Sequence, residues 1–71
     1  MNNLNEQRLR QQIRYHWDKV NECREAILAL YDAGEPFTSP RYTELIRQVD
    51  RHGAELVTLD QLLEDEILAQ A

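Results

Sequence analysis

The residues of this chain able to do chemistry are few, and they fall at helical spacings. Its single cysteine is Cys23 and its two imidazoles are His16 and His52. A metal site needs several Cys, His or carboxylate ligands converging at fixed geometry. His16 and Cys23 lie seven residues apart, two turns along one helix face and roughly 10 Å apart by helical rise. His52 is expected to approach Cys23 across a helix pair, but two such ligands do not close a site. All three read as core or half-core residues, and no metal is expected. A nucleophilic Cys23 would need a neighbouring base and an exposed, electropositive setting; its place among apolar residues offers neither. The only glycines, Gly34 and Gly53, form no phosphate-cradling loop. By residue type alone the carboxylates read as solvated surface groups, Asp50 among them, with Arg47 and Arg51 close enough in sequence to pair with it.

The elements that must position these residues can be read from spacing. Leu9, Ile13, His16, Val20, Cys23, Ile27 and Leu30 recur at alternating steps of four and three. That is the heptad seam of a helix packed at a shallow angle on a neighbour. Tyr42, Leu45, Val49, His52, Leu56, Leu59 and Leu63 form a second seam of equal length. Between them Gly34 suits the left-handed position that ends a helix. Ser39 suits an N-cap, with Pro40 at the first helical position. The expected architecture is all-α: an antiparallel two-helix hairpin with a coiled-coil-like seam, able to dimerise to a four-helix bundle. Helix 1 is expected over about 4–33, the turn over 34–39 and helix 2 over about 40–69, in a single domain spanning 1–71. Pairing the seams antiparallel sets Leu30 near Tyr42, Ile27 near Leu45, Cys23 near Val49, His16 near Leu56 and Leu9 near Leu63. Gly53 and the capping-box form of Thr58-Leu59-Asp60-Gln61 mark a possible break. The seam keeps its phase through both, so one long helix is expected.

Seventy-one residues with a formal charge of −5 bound the function further. A chain this short builds a small core, so a partner or self-association commonly adds stability. The acidic balance argues against nucleic acid, whose phosphates require surplus Lys and Arg. No apolar run reaches the roughly 18 residues a membrane span needs. Met1 to Glu6 lacks the layout of a secretory signal, and a lone cysteine fits a reducing cytosol. Cytoplasmic residence is therefore expected. Charge is unevenly spread: Arg8, Arg10, Arg14 and Lys19 crowd the first twenty residues, and Glu55, Asp60, Glu64, Asp65 and Glu66 the last eighteen. Each helix alone would oppose its own dipole. An antiparallel hairpin is expected to relieve this by setting Arg8 and Arg10 beside Glu64 and its neighbours. Trp17 and Tyr31 flank the first seam and are expected to broaden the core stripe; the alternative is that they stay exposed, with Leu28, Ile46 and Ile67, as anchors for a partner.

From Ser39 the chain reads Ser39-Pro-Arg-Tyr-Thr-Glu-Leu45-Ile46-Arg47-Gln48-Val49-Asp50. This resembles the signature of the sporulation stage-zero-E family of aspartyl-phosphate phosphatases, a helix-starting Ser followed by a segment close to Leu-Ser-Gln-Glu-Leu-Asp. Val20, Arg24 and Ile27 fall where that family has an apolar residue, an Arg and a further apolar residue. The resemblance covers roughly Val20 to Val57. Ile46 stands for the family's Ser, and Arg47 and Gln48 for its Gln and Glu, while Asp50 is retained. The resemblance implies a short hairpin that docks on a phosphorylated sporulation response regulator and hastens loss of its aspartyl phosphate. It makes Asp50 the catalytic carboxylate, orienting the attacking water, with Tyr42, Ile46, Arg47, Gln48 and Asp50 at the docking surface. No cofactor belongs to the hairpin itself; magnesium comes with the partner's phosphorylated site. The alternatives are a non-catalytic adaptor or inhibitor, and a homodimeric four-helix-bundle regulatory protein.

Overall fold

The computed structural model describes residues 3–70; the remaining residues of the expected 1–71 domain lie outside the described range. Two helices, α1 (Leu4–Asp32) and α2 (Pro40–Gln70), pack antiparallel along their whole lengths. The result is a rod of 51 × 16 × 13 Å. Both helices start where expected, and the C-terminal end of each differs from the expected one by a single residue.

Local chemistry starts and stops each helix. Asn3 takes extended backbone angles, and its side-chain oxygen accepts from the Glu6 amide at 3.0 Å, satisfying one orphan donor of the first turn. At the other end of α1, Gly34 has φ +76°. Its amide donates to the Tyr31 carbonyl, and the Glu35 amide reaches back to Leu30, both at 3.0 Å. This is the paired-bond C-cap that only a residue tolerant of positive φ forms cheaply. Ser39 Oγ then accepts from the Arg41 amide at 3.3 Å and donates to Glu35 Oε1 at 2.8 Å. Pro40 opens α2, where its missing N–H costs nothing.

The seams meet as the four-three spacing requires. Val20, Cys23, Tyr42, Leu56 and Leu59 are buried, and the other seam residues are half-buried. Helix α2 runs through Gly53 unbroken. Thr58 Oγ1 donates to the Ala54 carbonyl one turn back, so its hydroxyl serves a continuing helix and caps nothing. At the turn, Phe37 stacks between Tyr31 and Tyr42, with ring centroids 5.9 and 5.4 Å away. The Tyr42 hydroxyl donates to the Glu35 carbonyl at 3.2 Å.

Two expected pairings are corrected. His52 meets His16 across the seam, with Nδ1 atoms 2.7 Å apart, in place of approaching Cys23. The imidazoles satisfy each other, where an apolar Leu56 opposite His16 would leave a ring nitrogen unpaired. Cys23 instead donates weakly to Gln48 Oε1 at 3.4 Å. Among the described residues no ion pair bridges the basic and acidic ends of the two helices either. Arg10 pairs with Glu6 on its own helix at 2.8 Å. The open end is crossed by amides: Asn3 donates to Glu66 at 2.9 Å and Gln70 to Glu6 at 3.3 Å.

Candidate functional site

Asp50 stands in the first half of α2 and is exposed, one of several carboxylates of the rod that are. It follows Val49 by one place, so it leaves the seam and projects from the flank of the rod. Among the described residues its carboxylate makes neither an ion pair nor a side-chain hydrogen bond. Arg47 is instead engaged by Glu44 at 3.7 Å, one turn earlier. Residues three, four and seven apart share a helix face, which places Asp50 between Ile46 and Val57. Both are exposed, at 51% and 72%. By the same spacing exposed Arg47 also borders Asp50, so the local surface is a carboxylate beside one base and two aliphatic side chains.

The other expected contact residues divide. Ile46 and Arg47 are exposed. Gln48 is half-buried and both ends of its amide are occupied: the oxygen accepts from Cys23 and the nitrogen donates to Glu44 Oε1 at 3.3 Å. Tyr42 is only 4% exposed, which corrects its expected place at the docking surface. Its ring belongs to the core at the base of the turn, and burial, reinforced by the Glu35 carboxylate, raises its phenol above the usual range. Tyr42 therefore stays neutral and positions the start of α2.

Trp17 and Tyr31 are exposed and do not broaden the core stripe; Leu28, Ile67 and Val57 are exposed with them. Val57 stands one heptad beyond Asp50, so the spacing that places Asp50 off the seam also reveals Val57. His16 and His52 form a pair that spacing alone does not reveal, with the Tyr15 ring edge-on to both at 5.1 and 6.3 Å. Each imidazole spends one nitrogen on the other, and among the described residues no group of three or more metal-ligating side chains gathers. No described helix is long and apolar enough to cross a membrane. Compared with protein-family models, curated proteins and solved structures, the chain matches none.

Proposed function

We propose that this hairpin docks on a phosphorylated response regulator and promotes hydrolysis of its aspartyl phosphate, acting as a negative regulator of sporulation. The observation that carries this reading is Asp50: the motif carboxylate of the resemblance, exposed on α2 and, among the described residues, without an ion pair or side-chain hydrogen bond. A surface hairpin without a pocket suffices, because the regulator brings the phosphorylated carboxylate and the magnesium. The water oxygen attacks phosphorus, and the bond from phosphorus to the regulator's carboxylate oxygen breaks. Orthophosphate departs, and the water's proton passes through Asp50 to solvent. Asp50 holds the water in line, and positioning of this kind supplies much of phosphoryl-transfer catalysis. Ile46 and Val57 exclude solvent around it, as the near-neutral rim of an interface does.

Dephosphorylation of a phosphorylated sporulation response regulator, followed on a phosphate-retarding gel, tests the reading. Wild type is expected to accelerate loss of phosphate. Asp50→Ala is expected to abolish the acceleration while helicity and melting stay within about 0.5 kcal/mol of wild type, as for a surface substitution. Full activity in Asp50→Ala would remove Asp50 from the mechanism.

One observation favours a second reading, a non-catalytic adaptor or inhibitor. Ile46 stands exposed where the resemblance has a hydroxyl, and Gln48 is tied inward. Under that reading wild type retards the regulator on a sizing column yet leaves its phosphate lifetime unchanged.

A further inference from the structure

The two faces of the rod differ in kind. Grooves lined by Ala26, Ala29, Arg41 and Glu44, and by Asn5, Arg8, Gln12 and Leu62, lie on one face, and a smaller one lined by Arg24, Ile27 and Leu28 lies on the other. The helix flanks on the other side of each seam therefore share the opposite face. On that face α1 presents Arg10, Arg14, Trp17, Arg24, Leu28 and Tyr31, with three bases and no acid. The matching flank of α2 presents Ile46, Asp50, Val57, Asp60, Glu64 and Ile67, with three acids and no base. Trp17, Leu28, Tyr31, Ile46, Val57 and Ile67 are all exposed. One face thus combines a broad apolar surface with a charge division along its length. The hairpin does not resolve that division internally, since the ion pairs among the described residues all lie within one helix.

We propose that this face is closed by a second copy of the chain, with the turns at the same end, so that α1 of each copy lies on α2 of the other. A two-fold axis along the rod brings about this exchange and keeps residue heights unchanged. The register set by Asn3 with Glu66, His16 with His52, and Cys23 with Gln48 brings Arg10 level with the partner's Asp60. Trp17 comes level with the partner's Gly53, where no side chain intrudes. Both contacts occur twice, because a two-fold interface is self-complementary. The other face-to-face symmetry, with turns at opposite ends, lays α1 on α1 and α2 on α2. That sets bases on bases and acids on acids, and like-charge juxtaposition opposes it. The area is adequate: a face of 51 by 16 Å offers on the order of 800 Å², about what each partner gives to a standard interface. Ile46, Asp50 and Val57 belong to this layer, so the dimer and a regulator-bound hairpin use the same face and exclude one another. Self-association is read without the regulator, and the inference stands independently of the activity of Asp50.

Sedimentation equilibrium of the full chain, with charge reversal, tests the proposal. Wild type is expected at twice the 8.4 kDa chain mass. Arg10→Glu/Arg14→Glu and Asp60→Arg/Glu64→Arg are each expected to weaken self-association by about tenfold or more, with helical circular dichroism retained. An equimolar mixture of the two variants is expected to recover the dimer, because each supplies the charge the other lacks; misfolded variants would not rescue one another. A nitroxide on Thr38→Cys in a Cys23→Ser background is expected to report turn-to-turn distances far below the 51 Å rod length. A monomeric wild type, reversal variants that dimerise as wild type does, failure of the mixture to recover, or a turn-to-turn distance near the rod length would each overturn it.

Discussion

At the scale of single residues, the half-buried imidazoles carry the clearest thermodynamic asymmetry. His16 and His52 satisfy each other at 2.7 Å, so removing one ring leaves its partner with an unmet polar atom. His16→Leu alone is expected to destabilise by about 1–3 kcal/mol. The double variant His16→Leu/His52→Leu, which extends both seams with apolar side chains, is expected near or above wild-type stability. Urea unfolding of the three proteins checks this, and a double variant weaker than either single one would show that the pair contributes more than mutual satisfaction. Tyr42 has a sign of its own. Its raised phenol favours the neutral form in the fold, so its contribution is complete below the ordinary tyrosine range of about 10 and lost as pH rises above it. Tyr42→Phe is expected to cost about 1 kcal/mol at neutral pH through the lost bond to Glu35, and to flatten the alkaline fall in melting temperature.

At the scale of elements, the connection between helices depends on Gly34. Its φ of +76° costs a residue bearing a Cβ roughly 1–2 kcal/mol, although nothing lies within 4 Å of where that Cβ would stand. Gly34→Ala is therefore expected to destabilise by about that amount through backbone strain alone, measurable by thermal melting, and Gly34→Asn by less. These elements are legible from sequence because few features specify them. The seam follows from the four-three spacing of Leu9 to Leu30 and Tyr42 to Leu63, and the turn follows from Gly34, Ser39 and Pro40. Side-chain partners are less legible. Whether Arg10 reaches Glu6 or crosses to Glu64, and whether His16 meets His52 or Leu56, turns on register finer than one helical turn. Seam spacing leaves that register open. Asp50 is legible as an outward residue for the same reason Val49 is inward, whereas Tyr42 combines a motif position with a core position and only packing decides between them.

At the scale of the whole molecule, the two ends of the rod are secured unequally. The turn end has a glycine C-cap, a serine N-cap and three stacked aromatic rings. The open end relies on hydrogen bonds from amide side chains and on Glu6, whose carboxyl is held below its ordinary range by hydrogen bonds from Arg10 and then Gln70. A lowered carboxylate contributes stability above its unfolded-state value and loses it as pH falls through the folded one. Acidification is therefore expected to loosen the open end first, seen as faster amide exchange over residues 4–12 than over 24–32. If two copies share the apolar face, the melting midpoint is also expected to rise with chain concentration, since association stabilises by mass action.

Cys23 gives the rod a built-in clock. Its sulfur is buried and lies nearer the turn than the open end, so loosening of the open end alone does not uncover it. A thiol reagent enters only when the helices part around this residue. The rate of labelling at this one atom therefore counts openings that reach its level in the rod. Any partner that clamps the two helices together will slow it, whichever face that partner covers.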